Sequence, residues 1–447
     1  MTTSGITRAP GALPAVGHML RLLRDPLDFL TSLPRHGDLV RIELGRVPAI
    51  VVCAPELTQQ VLVDDHTFDK GGPLFDRLRE EVLKDGLVSC PHSRHRHYRR
   101  LIQPTFHPAR LPGYALTMTR QTAALANVWH DGEIIDVLAE LVTLTSRILV
   151  EAMFSDALPP RKLQQAIDDL ATINRRLYRR AVMPALMNRI PTSGNRQYRR
   201  ALSSLQQTVG NVIDDRRASR SDRGDLISAL LGNSSDAEKD LGQGLSDAQI
   251  ADHVLNFFIA GSETTSNALA WAVLLLGQHP QVQARVHAEA DSVLAGSPAT
   301  LEHLPRLELV NRVVSETLRM YPPAWMLTRT VTTDTKLGGE LLLSGTAVII
   351  SPYLIHHRRD IHDAPDLFDP DRWASTATAG TTHHSFIPFG AGARQCIGDQ
   401  FGLVEAALVL ATLFAQWHFE PMPGEHLRPS VAFTLPPKGT RMRVTAR

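Results

Sequence analysis

The feature that most constrains the fold is a stretch of about thirty residues with the pattern of one long buried helix. Ser246 and Gln249 have the spacing of a capping box at its start, and Gly277 followed by Pro280 marks its end. Thirty residues at about 1.5 Å each span roughly 45 Å, enough to cross a whole domain. The segment HVLNFFIA, residues 253–260, is apolar on nearly every side, so we expect a large helical core around it.

The middle of this helix contains the sequence GSETT, residues 261–265, which is poorly suited to a buried helix. A glycine costs about 1 kcal/mol in a helix interior, threonine is a weak helix former, and a buried Glu263 is costly to desolvate. We therefore predict an interrupted helix at these residues, at a functional site. On the helix alone, a packing notch for a crossing helix, with Glu263 reaching solvent, explains the pattern equally well.

The rest of the chain predicts a mainly α fold with small β-sheets. Residues 38–45 and 49–53 alternate around a short turn and indicate a β-hairpin, and a second small β region is expected near residues 335–353. Without long linkers or repeats, the 447 residues are expected to form one domain, residues 1–447, with a Pro/Gly-rich leading segment at 1–20.

Charge and cysteine content narrow the class of protein. Lys plus Arg is 47 and Asp plus Glu is 46, which argues against nucleic acid as a partner. Three cysteines in so long a chain do not make a disulfide framework, so a reducing cytoplasm is expected. The leading segment has no apolar run that could span a bilayer and no signal pattern, which predicts a soluble protein without a membrane anchor.

Cys396 lies among glycines just before the apolar run LVEAALVLATLF, residues 403–414. A cysteine that only fills space is expected inside such a run. The local sequence of a cysteine hydrolase is missing, although one of the 19 histidines can still lie close to Cys396 in the fold and act as its base. A helix N-terminus favours a thiolate, and glycines let a flat, bulky group approach the backbone. This combination favours a thiolate ligand to haem iron over the two alternatives.

Two further groups of charged residues have both a structural and a functional interpretation. Glu316 and Arg319 face the same way on a helix expected at residues 306–321, and by themselves they indicate a surface ion pair. Residues 93–106 form a basic amphipathic segment, usually a solvated face. One stripe, His95 with Arg99, suits an anion, and the adjacent stripe, Arg96 with Arg100, suits a partner protein.

Four motifs together resemble the cytochrome P-450 family. The sequence FGAGARQCIG, residues 389–398, is similar to the haem-binding signature of that family, and AGSETT, ETLR and FDPDRW precede it in the family's order. The resemblance covers essentially the whole chain. The chain departs from the family at Gly402, where alanine is usual, and at His95, where many members have tryptophan; both changes are tolerable. The signature is matched at Phe389, Gly392, Arg394, Cys396 and Gly398.

The resemblance implies a mainly α fold with small sheets that encloses haem b. Cys396 would be the iron ligand, with Phe389 and Gly398 beside it. Ala260 and Gly261 would make room for dioxygen. The propionate-binding positions are His95, Arg99, Arg329 and Arg394, and a structural network behind the haem comprises Glu316, Arg319 and Arg372.

The resemblance also implies a monooxygenase that inserts one oxygen atom of O2 into a small apolar molecule. Thr264 and Glu263 would deliver the protons that this reaction consumes. Electrons would come from NAD(P)H through a separate ferredoxin and ferredoxin reductase, with Arg96 and Arg100 docking the acidic ferredoxin. A monomeric, cytoplasmic enzyme is expected.

Three short segments, at residues 68–76, 86–92 and 322–329, are similar to bacterial sesquiterpene oxidases of that family. The expected substrate is a cyclic sesquiterpene such as pentalenene, oxidised at a methyl group through alcohol to aldehyde in secondary metabolism. A macrolide or fatty acid substrate, or a haem-thiolate sensor without turnover, stays an alternative. The apolar positions predicted to line the substrate pocket are Leu74, Phe75, Leu78, Met183, Met187, Phe257, Ala260, Ala324, Trp325, Met326, Leu327, Phe433 and Thr434.

Overall fold

Helices dominate the chain, and the prediction of a mainly α fold with small β-sheets is confirmed. The computed structural model describes residues 5–154, 158–183, 185–219, 223–241, 244–374 and 384–447. Its helices are α1 Met19–Arg24, α2 Pro26–Ser32, α3 Pro55–Val63, α4 Pro73–Leu78, α5 His92–Ile102, α6 Leu111–Ala126, α7 Val137–Phe154, α8 Pro160–Val182, α9 Ala185–Arg189, α10 Ser193–Ser219, α11 Leu226–Leu241, α12 Asp247–Gln278, α13 Pro280–Leu294, α14 Glu308–Met320, α15 Pro352–His356 and α16 Asp399–Gln416.

The strands are short and lie in small sheets. They are β1 Thr7–Arg8, β2 Leu39–Leu44, β3 Val47–Val52, β4 Phe68–Asp69, β5 Ile134–Asp136, β6 Leu327–Val331, β7 Thr335–Leu337, β8 Glu340–Leu342, β9 Ala347–Ile350, β10 Trp417–Pro421, β11 Arg428–Pro429, β12 Pro437–Lys438 and β13 Arg441–Ala446. Strands β2 and β3 form the predicted hairpin, with Val40 opposite Val51, and β7, β8 and β9 form the predicted second β region.

The chain divides into two compact units. The first comprises residues 1–77, 91–93 and 315–396 and contains a sheet with the strand order β1-β2-β3-β9-β6-β4. Strand β9 is parallel to β3 and antiparallel to β6, so a strand from near the start of the chain pairs in the middle of the sheet with a strand from its last third. Apolar residues of this sheet, such as Ile42 in β2, Val51 in β3 and Val348 in β9, are fully buried. This unit contains Cys396, Arg329 and Arg394.

The second unit comprises residues 78–90, 94–314 and 397–447 and is mostly helical. Helix α12 packs against α7, α8, α10 and α16, and a sheet with the order β10-β13-β5 lies beside it. The capping box predicted at the start of α12 is present, because Ser246 and Gln249 bond each other's backbone amides. The helix ends at Gln278, just before Pro280, as predicted. This unit contains Glu263 and Thr264.

The prediction of an interrupted helix at residues 261–265 is wrong. Helix α12 runs unbroken through this segment for 32 residues. Gly261 keeps a helical backbone because it provides close packing: a Cβ atom added there would lie 3.1 Å from Cδ2 of Leu149 in α7. Neighbouring helices therefore hold the weak helix formers in place, and the open alternative of a packing notch is correct for Gly261.

The prediction that residues 1–447 form one domain stays a prediction. Within the described residues, no helix is both long and apolar enough to cross a lipid bilayer.

Candidate active site

The centre of α12 is partly exposed between two buried stretches. Residues 253–259 and 266–277 are buried, whereas Ala260, Gly261, Glu263 and Thr264 are each partly accessible. Between its exposed first turns and its exposed last residue, the helix is accessible only near its middle, so it borders an open space there. The polar side chains that the sequence predicts to be catalytic lie at this opening.

Glu263 is held by a side chain from the far end of the chain. The Thr434 hydroxyl donates to Glu263 Oε1 over 2.5 Å, and Asn267 Nδ2 donates to Thr434 Oγ1 over 2.8 Å. Burial raises the pKa of Glu263 above its ordinary value, and the hydrogen bond from Thr434 offsets part of that rise. A carboxyl with a raised pKa binds and releases protons closer to neutral pH than an ordinary glutamate does.

Thr264 lies next to this carboxyl on the helix surface. Its Oγ1 donates to the Ala260 carbonyl over 2.7 Å, so the hydroxyl oxygen stays at the accessible face of the helix. Ser262 points the other way: it is buried, it accepts a hydrogen bond from Asn174 of α8, and its carbonyl accepts one from Thr145 of α7. The packing of Ser262 fixes the helix rotation that presents Thr264.

The loop before α16 exposes Cys396. Gly390 and Gly392 have φ angles of 71° and 69°, which side-chain-bearing residues rarely adopt. A Cβ atom at Gly392 would lie 2.6 Å from the Leu62 carbonyl oxygen, so only glycine fits there. The amide of Cys396 donates to the Phe389 carbonyl over 2.9 Å, which closes the loop. Cys396 is exposed and is not in a disulfide, so its sulfur is accessible to a ligand.

The two arginines of the first unit have different surroundings. Arg394 is buried and bonds two carboxylates, Asp65 over 3.3 Å and Asp69 over 2.8 Å. Arg329 is 4 % exposed, donates to the Thr328 carbonyl, and has no hydrogen-bond partner at Nε among the described residues. Burial, and then the charge of Arg394, lowers the pKa of Arg329 to about 10.

This arrangement fits a haem. A buried guanidinium with an unused donor, next to a second arginine, suits an added carboxylate such as a haem propionate. An exposed cysteine follows in a loop whose glycines leave room for a flat group. The described residues contain no cluster of three or more His, Cys, Asp or Glu side chains that could hold a separate metal ion. The donors present therefore match one thiolate-bound haem iron with its propionates.

Helix α5 of the second unit has the two predicted stripes. His95 is buried and Arg99 is half-buried, whereas Arg96 and Arg100 are exposed. The burial of one stripe of α5 and the exposure of the other agree with an inward stripe for an anion and an outward stripe for a partner, although the roles of these residues stay predictions.

Gly398 is the residue before α16 and has a backbone with a φ angle of −98°.

Glu316 and Arg319 form a buried ion pair, in contrast to the surface pair that the two residues alone indicate. Both side chains are 0 % exposed, and Arg319 donates to both carboxylate oxygens, over 2.8 and 2.9 Å. Arg372 Nε and Trp373 Nε1 also donate to Glu316, over 3.4 and 2.9 Å. Burial would raise the pKa of Glu316, but the hydrogen bonds and the charge of Arg319, together with hydrogen bonds from the Asp369 backbone amide and the Trp373 side chain, lower it below its ordinary value.

The residues predicted to line the substrate pocket differ in exposure. Leu78, Phe257 and Trp325 are buried, and Thr434 is buried in its bonds to Glu263 and Asn267. The side chain of Leu74 lies outside the described residues. Met187 is 42 % exposed. The others are half-buried: Phe75, Met183, Ala260, Ala324, Met326, Leu327 and Phe433.

The sequence analysis missed three sets of contacts made by the predicted functional residues. Thr434 lies 171 residues from Glu263, and Asp65 lies 329 residues from Arg394, so no local spacing announces either contact. The contact of Trp373 could have been predicted from the sequence, because Trp373 ends the FDPDRW motif directly after Arg372.

Comparisons with known proteins identify one family and several similar proteins. The family described as Cytochrome P450 matches residues 8–444. Cyclooctatin synthase of Streptomyces melanosporofaciens is 42% identical over 438 residues, 98% of this chain and 95% of that protein. Pentalenene oxygenase of Streptomyces avermitilis is 40% identical over 440 residues, 98% and 97% of the two chains. The crystal structure of the cytochrome P450DA heme domain matches with a TM-score of 0.87 at 27% identity, covering 99% of this chain and 98% of that one.

Replacing Glu316 by glutamine tests the buried network. The Glu316→Gln variant leaves the Arg319 guanidinium buried without a carboxylate, so we expect a loss of about 3–5 kcal/mol in the free energy of unfolding, measured with urea. Because the folded-state pKa of Glu316 is lowered, this difference should be complete above pH about 4.3 and disappear as the pH falls further.

The matched control for this prediction is Glu308→Gln, an exposed position in the first turn of the same helix. It should cost less than about 1 kcal/mol. Equal stability of the two variants would contradict a structural role for the Glu316 ion pair.

Proposed function

The chain belongs to the cytochrome P450 family of haem-containing oxidoreductases, and from that premise we propose that it is a haem-thiolate monooxygenase acting on a cyclic terpene. The observation that supports this most is the partly accessible middle of α12, residues 260, 261 and 263–265, where a carboxyl with a raised pKa is followed directly by a hydroxyl-bearing residue. A sensor protein has no use for such a pair, whereas a reaction that consumes protons needs it.

Cys396 is the proposed iron ligand of a haem b, and Arg329 is the proposed principal propionate ligand. The exposed sulfur in a glycine-rich loop supports the first assignment, and the unused Nε of a buried guanidinium supports the second. His95, Arg99 and Arg394 complete the proposed propionate set. Since Arg394 already bonds Asp65 and Asp69, we assign it chiefly to fixing the loop before Cys396. When bound, a thiolate-ligated haem supplies the activation of dioxygen.

Glu263 and Thr264 are the proposed proton-delivering residues. Burial raises the pKa of Glu263, so its carboxyl keeps a proton at a higher pH than an exposed glutamate does. Glu263 Oε2 takes up protons from water. Thr264 Oγ1 then donates protons on the accessible side of α12, where the substrate would react. The buried residues on either side of this segment exclude bulk water, which limits proton loss to side reactions.

The proposed substrate is a cyclic sesquiterpene such as pentalenene, oxidised at a methyl group through alcohol to aldehyde in secondary metabolism. The 40% identity to pentalenene oxygenase over nearly the whole of both chains supports this class. Apolar side chains at the predicted pocket positions Leu78 and Phe257 of the second unit agree with an apolar ligand.

Redox partners supply the electrons, and we propose a separate ferredoxin and ferredoxin reductase that use NAD(P)H. The exposed Arg96 and Arg100 on α5 support docking of an acidic protein. Cytoplasmic location and a monomeric state are part of the proposal. The buried Cys53 and Cys90 and the exposed Cys396 are not in disulfides, in agreement with a reducing compartment.

Spectroscopy of the Cys396→Ala variant tests the ligand. The wild-type protein should be red, and its reduced carbon-monoxide complex should have the strongly red-shifted Soret band of thiolate ligation. Cys396→Ala should lose that band, because alanine provides no thiolate. The control Cys53→Ala removes a buried cysteine of the same unit and should keep the band. A red-shifted band in Cys396→Ala would rule out this ligand.

The Thr264→Ala variant tests proton delivery. Substrate binding should stay close to wild type, while product formed per NADH consumed should fall about tenfold or more and hydrogen peroxide should rise correspondingly, since positioned proton transfer contributes about 10²–10⁴-fold. Coupling is measured as product and peroxide against NADH oxidised. Thr143→Ala, at an exposed position of α7, is the control and should couple normally. Full coupling in Thr264→Ala would exclude this role.

A substrate panel tests the terpene class. The enzyme is supplied with NADH, ferredoxin and ferredoxin reductase, and incubated with pentalenene, other cyclic sesquiterpenes, a macrolide and a fatty acid. We expect alcohol and aldehyde products from a cyclic sesquiterpene by mass spectrometry, because an apolar pocket favours a compact hydrocarbon. Turnover of only the macrolide or the fatty acid would overturn the substrate proposal, and no turnover of any compound would favour a sensor.

A further inference from the structure

A short segment near the C-terminus is fastened to the middle of α12. Trp271 Nε1 donates to the Leu435 carbonyl over 2.7 Å, and Asn267 Nδ2 donates to Thr434 Oγ1 over 2.8 Å. All four residues are at most 3 % exposed. Strands β11 and β12 pair on either side of this segment and fix its ends. The bond from Trp271 is made to the backbone, so this anchor of the segment does not depend on the Thr434 side chain.

The residues on α12 that face this segment form one stripe of the helix. Glu263, Asn267 and Trp271 are spaced four residues apart and therefore lie above one another. Ala260 and Thr264 form a second stripe, which is rotated around the helix axis from the first by the angle between two consecutive helix residues. The segment that contains Thr434 thus reaches Glu263 from the side, and leaves the face of Thr264 uncovered by this contact.

The hydrogen bonds between these side chains have one direction. The Asn267 amide donates to the Thr434 oxygen, which leaves the Thr434 hydroxyl proton to be donated to Glu263 Oε1 over 2.5 Å. Oε1 therefore accepts and carries no proton of its own. Any proton on the carboxyl is located on Oε2.

We infer that Thr434 and Asn267 are positioning residues that hold the Glu263 carboxyl in one rotamer, with Oε1 engaged and Oε2 left to exchange protons. The inference rests on the proposed function for the role of Glu263 in proton delivery, and it assigns Thr434 to that acid instead of to the substrate pocket. A glutamate has three rotatable side-chain bonds, and without the bond from Thr434 its carboxyl is free to adopt other rotamers.

A purely structural role for Thr434 predicts something different. If Thr434 only fastened its segment, its hydroxyl could be lost without any effect on the titration of Glu263. Burial and the Thr434 hydroxyl are the two influences on the pKa of Glu263, the first raising it and the second lowering it. The pKa of Glu263 therefore reports the bond from Thr434 directly.

The experiment compares Thr434→Val, which keeps the shape and removes the hydroxyl, with Thr434→Ser, which keeps the hydroxyl. The protonation of Glu263 is followed in the resting protein by the infrared C=O stretch of its carboxylic acid, assigned by its absence in Glu263→Gln. Thr434→Val should raise the pKa of Glu263 by about 0.5–1 unit, since it removes one hydrogen bond to the charged form. Thr434→Ser should restore the wild-type value.

Asn267→Ala provides a second variant in case Thr434→Val does not fold. It removes the donor that orients the Thr434 hydroxyl and should shift the pKa of Glu263 in the same direction by a smaller amount. During turnover, hydrogen peroxide per NADH should rise several-fold in Thr434→Val and return to the wild-type level in Thr434→Ser.

The outcomes separate this inference from the proposed function. An unchanged titration of Glu263 in Thr434→Val, or a Thr434→Ser protein that behaves like Thr434→Val, would overturn the positioning role. Full coupling in Glu263→Gln would instead overturn the role of Glu263 in proton delivery, whatever the infrared titration of Thr434→Val shows.

Discussion

The need to satisfy buried polar groups along α12 organises much of the second unit. The helix is buried over most of its 32 residues, and its own backbone cannot satisfy the side chains that it carries. His253 Nδ1 accepts from the Leu87 amide, and Asn256 accepts from the Val88 amide while it donates to the Leu83 carbonyl. Each buried polar side chain thereby fixes a connecting segment that has little regular structure of its own.

The same rule applies at the other half of the helix. Asn267 and Trp271 hold residues 434 and 435 by hydrogen bonds, as His253 and Asn256 hold residues 83–88. An unsatisfied buried amide or indole costs about 1–3 kcal/mol, so each of these segments is strongly favoured in its observed position. The partly accessible residues 260, 261 and 263–265 lie between these two parts of the helix, and they include Glu263 and Thr264.

The first unit contains two kinds of buried charged group, one that is paired within the protein and one that is not fully paired. Arg319 donates to both carboxylate oxygens of Glu316 and to the His356 and Leu367 carbonyls, and Arg372 and Trp373 donate to the same carboxylate. Arg329 is also buried but has an unused Nε, and its burial, followed by the charge of Arg394, lowers its pKa. A paired buried charge stabilises a fold, whereas an incompletely paired one costs free energy that an anionic ligand can recover. This contrast is the physical basis for assigning one set to structure and the other to haem.

The sequence predicted the parts of this protein that depend on local rules. The capping box at Ser246, the stop before Pro280 and the β2–β3 hairpin all rest on neighbours within a few residues, and the structure has them. The interrupted helix was wrong because propensity ignores tertiary packing: Leu149 supports Gly261 from another helix. The bonds from Thr434 to Glu263 and from Asp65 to Arg394 join residues more than a hundred positions apart, and no periodicity encodes them.

An unbroken helix changes how the site can work. An interrupted backbone would have exposed carbonyl and amide groups to the site, and these would have supplied the polarity there. In the continuous helix the backbone groups are bonded to each other, so Thr264 and Glu263 must supply it with their side chains. Side chains have rotamers, and a proton-delivering carboxyl is effective only if its orientation is restricted. The restriction has to come from outside the helix, and the Thr434 hydroxyl, itself oriented by Asn267, is the described group that bonds Glu263.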